Sequence, residues 1–173
     1  MTVFRSGIRE FHAMNIKGLS FALIAALAAS LWCGSAAAQA PLTMEWQTDL
    51  KFGEVAASVS GGGTIVIPPS ANTRTISGAL VDFGGTVKRG KIRLTGEPKA
   101  WVVITVPSTI EIQKGTSSFT MTISNLTLST DNPVRLNNQG VKSVFIGGTL
   151  TVATDQKKGT YKNTSFIINA DYL

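Results

Sequence analysis

Nine carboxylates lie beyond residue 40, at Glu45, Asp49, Glu54, Asp82, Glu97, Glu111, Asp131, Asp155 and Asp171. Two carboxyl groups held roughly 5–9.5 Å apart in a cleft can hydrolyse a glycosidic bond. No two of these nine share a local motif, and their scatter reads as a solvated face. The one His and the one Cys, His12 and Cys33, both precede this stretch. Its serines and threonines therefore have no imidazole to activate them, and neither Gly-x-Ser-x-Gly nor Ser-x-x-Lys occurs. Soft metal sites lose their nitrogen and sulfur ligands by the same absence. A calcium cage fares no better at Asp155-Gln-Lys-Lys-Gly159, where lysines stand in place of oxygen ligands. The residue types thus predict no catalytic residue, no metal, no cofactor and no enzymatic activity.

Two features are suited to binding. Lys88, Arg89, Lys91 and Arg93 form one basic cluster, a patch for acidic glycans or another anionic surface. The plain alternative is a solvated strand whose charges block edge pairing. Aromatic residues are not interleaved with these charges, as a single-strand nucleic-acid platform requires, so no nucleic-acid partner is expected. Trp46, Trp101 and Tyr161 are either core and rim residues or sugar-stacking platforms, and exposure beside polar groups in a groove decides between the two. Gly61-Gly-Gly-Thr64 invites a phosphate site, but it lacks the Gly-Lys-Ser/Thr ending. It also leads into Ile65-Val-Ile67, a strand, where a helix N-terminus is needed. It reads as a turn.

Positioning these residues falls to one domain behind a leader. The chain has 173 residues and a formal net charge of +6. Arg5, Arg9 and Lys17 precede an uncharged run at 18–32, and Cys33-Gly-Ser-Ala-Ala-Ala-Gln-Ala40 follows. A basic segment, an apolar core shorter than the ~20 residues of a membrane-spanning helix and small residues at the end are the parts of a secretory signal peptide. Residues 1–38 are read as that peptide, cleaved behind Ala38 in preference to Ala40, with Met14 as an alternative start. Trp32 is too bulky to precede a lipidated Cys33. Residues 39–173, read as a single β-sandwich domain, keep thirteen Lys and Arg against nine Asp and Glu, a net charge of +4. The expected location is the periplasm, the outer cell surface or the extracellular medium, with no transmembrane segment after cleavage.

Beyond residue 41, no stretch combines helical periodicity with good helix formers. Val, Ile, Thr and aromatic residues recur in short runs punctuated by Gly, the pattern of an all-β chain. Strands are predicted at about 43–46, 49–56, 64–67, 73–81, 87–95, 100–106, 109–113, 118–128, 133–137, 142–153 and 160–172. In Arg89-Gly-Lys-Ile-Arg-Leu94, the cations share one face and Ile92 and Leu94 the other. Phe119, Met121 and Ile123 share a parity that Leu126 and Leu128 reverse, so a bulge or bend is expected at Ser124-Asn125. Gly-Gly-Thr at 62, 84 and 147 marks places where strands should begin or meet. The architecture predicted is a single antiparallel β-sandwich with Phe52, Ile65, Ile67, Val103, Ile123, Phe166 and Ile168 in its core. Along the last residues, Phe166, Ile168, Ala170 and Tyr172 form one stripe.

Leu42, Met44 and Trp46 alternate with Thr43 and Glu45 just behind the leader, the pattern of a strand that inserts one apolar face. Such a segment either closes its own sandwich or fills a groove in the next subunit by strand addition.

Pro41-Leu-Thr-Met-Glu-Trp-Gln-Thr-Asp-Leu-Lys-Phe-Gly53, Gly62-Gly-Thr-Ile-Val-Ile-Pro68, Thr73-Arg-Thr-Ile-Ser-Gly78, Gly147-Gly-Thr-Leu-Thr-Val152 and the terminal Gly159-Thr-Tyr with Asp171-Tyr172 occur in that order. Together they resemble a secreted bacterial family catalogued as domain-of-unknown-function family 4402, over nearly all of the chain past the leader. That family is similar to spore-coat-U and chaperone/usher pilin domains, incomplete immunoglobulin-like sandwiches, and Tyr172 matches the penultimate aromatic residue of pilins. The chain departs from pilins in lacking a disulfide, and from the pattern of the family it resembles in Tyr161-Lys-Asn163-Thr164. The resemblance implies an immunoglobulin-like or pilin-like β-sandwich and a non-catalytic secreted envelope protein, structural or adhesive. Its partners would be copies of itself, other envelope subunits or surface glycans. The alternative is a soluble periplasmic or extracellular carbohydrate-binding module.

Overall fold

A computed structural model describes residues 38–163 and 167–173. Residues 1–37, which hold Cys33 and all but the last residue of the segment read as a signal peptide, and the core candidate Phe166 lie outside the described residues.

Thirteen strands are described: β1 (Thr43–Thr48), β2 (Lys51–Ala57), β3 (Gly63–Ile67), β4 (Thr75–Gly78), β5 (Leu80–Lys88), β6 (Gly90–Thr95), β7 (Trp101–Thr105), β8 (Thr109–Lys114), β9 (Thr120–Leu128), β10 (Val134–Arg135), β11 (Val141–Val152), β12 (Tyr161–Lys162) and β13 (Asn169–Tyr172). They make an all-β fold with one large, curled and partly open sheet and two smaller sheets. The large sheet runs β1-β6-β11-β9-β8-β12, with β3 and β4 attached at β11. The smaller sheets are β10-β7-β13 and β2-β5.

The twelve-residue β11 organises the fold. Along one edge it pairs first with β6, from Val141 to Ile146, and then with β3, from Gly148 to Val152. Its other edge pairs with β9. The exchange of partners falls at Gly147, where a Cβ would stand 2.3 Å from the Ile67 carbonyl oxygen and 2.6 Å from the Pro69 nitrogen. Only glycine lets the β3 backbone come that close.

Side chains of one parity on β11 feed two cores. Val144 and Ile146 join Ile92 and Leu94 of β6, Val102 and Ile104 of β7, and Val134, Leu136 and Ile168. Leu150 and Val152 join Phe52 of β2, Ile65 and Ile67 of β3, Ile110 and Ile112 of β8, and Ile123 of β9. Leu126 packs against both clusters. It can do so because β9 carries one extra residue opposite Gly147–Thr149, with Asn125 in the left-handed region at φ 50°. The parity change at Ser124-Asn125 is therefore a bulge that returns Leu126 and Leu128 to the core face.

Five of the seven expected core residues, Phe52, Ile65, Ile67, Ile123 and Ile168, are buried. Val103 is corrected: Val102 and Ile104 face the core, and Val103 is only half-buried on the other side of β7. The run Val102-Val103-Ile104 is apolar throughout, so its alternation names no face. In the terminal stripe, Ile168 is buried and Ala170 and Tyr172 pack against the first core, while Ile167 is 70% exposed.

Three strand boundaries also change. The predicted 73–81 strand divides into β4 and the start of β5. The predicted 160–172 strand becomes β12 and β13, in different sheets. Residues 82–86, read as a turn between strands, lie inside β5, where Gly84 and Gly85 (φ 82° and 76°) form an irregularity against Glu54. Paired glycines suit a bulge as well as a hairpin turn, and the partly buried residues Leu80 and Val87 were too far apart to signal one strand.

Candidate functional site

β1 is an edge strand of the large sheet, antiparallel to β6 of the same chain, with Met44 opposite Leu94 and Trp46 opposite Ile92. Leu42 and Met44 are half-buried against the first core, as the apolar alternation requires. Trp46 is 37% exposed and reaches over Gly90, whose missing side chain leaves room for the indole. Ahead of β1, the Tyr172 hydroxyl donates to the Ala40 carbonyl (2.7 Å) and accepts from the Glu97 amide (2.6 Å). The Ala40 amide donates to Glu97 Oε2 at 3.1 Å. The penultimate residue of the chain thereby ties down the segment that enters β1.

Tyr172→Phe removes both hydroxyl bonds. A loss of about 1–2 kcal/mol is expected in a thermal or urea melt. Faster hydrogen exchange confined to residues 40–46 and Glu97 is expected beside it.

The four cations of the basic cluster lie on β5, on β6 and at the junction between them. Lys88 ends β5 and lines a cavity with Trp46, while the other three cations project from the junction before β6 and from β6 itself. The Arg89 guanidinium lies 3.5 Å from the centroid of the Phe145 ring and donates to the Pro69 carbonyl at 2.7 Å. Lys91, opposite Phe145 in the β6–β11 ladder, has its ammonium 5.8 Å from the same ring. Arg93 stands opposite Glu45 of β1. β6 lies between β1 and β11, so its charges cover a solvated face of an inner strand and guard no edge. The aromatic partner Phe145 comes from more than fifty residues along the chain, beyond any signal in local spacing.

Of the three aromatic candidates, Tyr161 is structural: its hydroxyl donates to the Lys157 carbonyl at 2.8 Å and accepts from the Gln156 amide at 2.8 Å. Trp101 is 48% exposed on β7, with the Arg135 guanidinium 5.9 Å from its ring. Trp46 walls an open cavity of about 250 Å³ with Gln47, Thr48, Asp49, Lys51 and Lys88. A second opening, of about 390 Å³, lies among Gln113, Gly115, Thr160 and Lys162 and has no aromatic wall.

Among the described residues, no three of His, Cys, Asp and Glu are grouped to hold a metal ion, and no polar or charged residue is buried. Arg74 has only 7% of its side chain exposed. It donates to the Phe52 and Gly84 carbonyls and pairs with Asp82. Gly53 makes room for it, since a Cβ there would collide with the guanidinium. The Phe52-Gly53 and Thr73-Arg74 motifs are thus two halves of one structural contact. Gly61-Gly-Gly-Thr64 is a bridged turn leading into β3. No helix among the described residues is long and apolar enough to cross a membrane.

No curated protein and no solved structure matches the chain. Residues 42–172, from the start of the β1 segment to the hydroxyl that fastens it, match the family model described as Domain of unknown function (DUF4402), and the chain belongs to that family.

Proposed function

We propose that this is an exported envelope protein, structural or adhesive and without catalysis, built as a pilin-like β-sandwich and able to assemble by strand addition. The observation that carries the reading is β1: a short edge strand, held through one ladder and two half-buried side chains, and fastened at its entry by Tyr172 and Glu97. A strand with one neighbour and one apolar face can be supplied by its own chain or by another copy, because the ladder and the side-chain pockets are the same in either case. The two cores are built from apolar side chains, which suits a scaffold. Export through the leader and display in the periplasm or at the cell surface complete this reading.

Deletion of residues 39–47 tests it. The truncated protein is expected to unfold at a lower midpoint and to expose an apolar groove. An added peptide of sequence Pro-Leu-Thr-Met-Glu-Trp is expected to bind and restore the midpoint. A truncated protein as stable as the full one, binding no peptide, would reduce the segment to a leader remnant and remove the basis for strand addition.

A second reading, a carbohydrate-binding module, is favoured by Trp46, a part-exposed indole beside Gln47 and Asp49 in an open cavity. Exposed aromatic faces flanked by hydrogen-bonding side chains suit sugar rings, which are apolar on their faces and polar at their edges.

A further inference from the structure

The cavity beside Trp46 contains a conflict that a ligand would resolve. Lys51 at the start of β2 and Lys88 at the end of β5 are direct partners in the β2–β5 ladder, and both line the cavity. Like charges directly opposite each other across a ladder are destabilising. Neither ammonium has a carboxylate partner among the described residues, and both residues are exposed.

We propose that this cavity is a binding site for an acidic saccharide, with the Trp46 indole under one sugar ring and Lys51 and Lys88 on the anionic group that the sugar carries. The proposal rests on the carbohydrate-binding reading and specifies its ligand class and its anion-binding residues. Two ammonium groups on flexible stems can close on one carboxylate or sulfate from different sides. Gln47, Thr48 and Asp49 supply donors and acceptors for ring hydroxyls on the same wall. A volume of about 250 Å³ lies below the ~300–1,000 Å³ of pockets for drug-sized ligands and leaves room for one sugar unit of a longer chain. The site divides the sequence-level basic cluster: Lys88 binds, while Arg89 and Lys91 are engaged at Phe145.

Calorimetric titration of the purified protein with trigalacturonate, a sulfated galactotriose and neutral galactotriose tests the proposal. At least one acidic trisaccharide should bind more tightly than the neutral one, and its affinity should fall as salt rises. The Lys51→Gln/Lys88→Gln variant should lose at least about tenfold in that affinity. The Lys91→Gln/Arg93→Gln variant should bind as the unaltered protein does. Lys88→Glu supplies a readout independent of any ligand: it turns the repulsive pair into an attractive one, and the unfolding midpoint should rise by about 1–3 °C while acidic-sugar binding disappears. Equal binding of neutral and acidic sugars, unaffected by the lysine replacements, would overturn the anion assignment and leave the carbohydrate reading standing. Binding of none of the three would overturn both.

Discussion

Ile92→Ala is expected to lower the stability of the domain by about 2–5 kcal/mol, through the lost transfer energy of the removed carbons and the cavity left behind. Ile92 is fully buried in the middle of β6, between Trp46 of β1 and Val144 of β11 in the ladders. Neighbours on both sides are fixed by backbone pairing, so they cannot collapse into the space. Against a typical total of about 5–15 kcal/mol, such a loss removes a large share of the margin. Urea unfolding should show a lower midpoint with an unchanged slope. The replacement also removes the floor under β1, so residues 43–48 should exchange their amide hydrogens faster than β8 and β9, which border the second core. A stability loss below about 1 kcal/mol would place Ile92 outside the core.

Gly147→Val is expected to cost about 3 kcal/mol or more, the severe end of overpacking, by a different route. Its Cβ would stand 2.3 Å from a carbonyl oxygen of β3, a main-chain atom that no rotamer change can move. The ladder from Gly148 to Val152 must open, and with it the lid over Ile65 and Ile67. The first core, built on the β6 half of β11, should be disturbed less. Loss of amide protection in β3 and β4 with retention in β6 is the expected pattern. Uniform destabilisation of both halves would show that the exchange of strand partners at Gly147 does not divide the sheet.

Sequence and structure agree best where one side of a strand is wet. Ile92 and Leu94 were legible as inward and Arg89, Lys91 and Arg93 as outward because polar and apolar residues alternate there. The bulge at Asn125 was legible from the reversal of parity between Ile123 and Leu126, since a pleated strand turns successive side chains to opposite faces. Val103 was not legible, because both faces of β7 are apolar in sequence. The strand through Gly84-Gly85 was hidden for the converse reason: its middle has no side chains to alternate.

The candidate site divides in the same way. Leu42, Met44 and Trp46 were identifiable as one apolar face from their spacing alone, and the absence of His and Cys beyond residue 40 was a plain property of composition. The fastening of Ala40 by Tyr172, across 132 residues, left no local trace. Neither did the stacking of Arg89 on Phe145 or the opposition of Lys51 and Lys88. By itself the sequence determined the strand content, most of the core faces and the chemistry that the side chains can offer, because these depend on residue type and on a period of two along the chain. Tertiary structure alone decided which strands share an edge, which glycine lets two backbones meet, and which basic residues line the cavity beside Trp46. Those are distances between segments remote in sequence, set by how β11 changes partners halfway along its length.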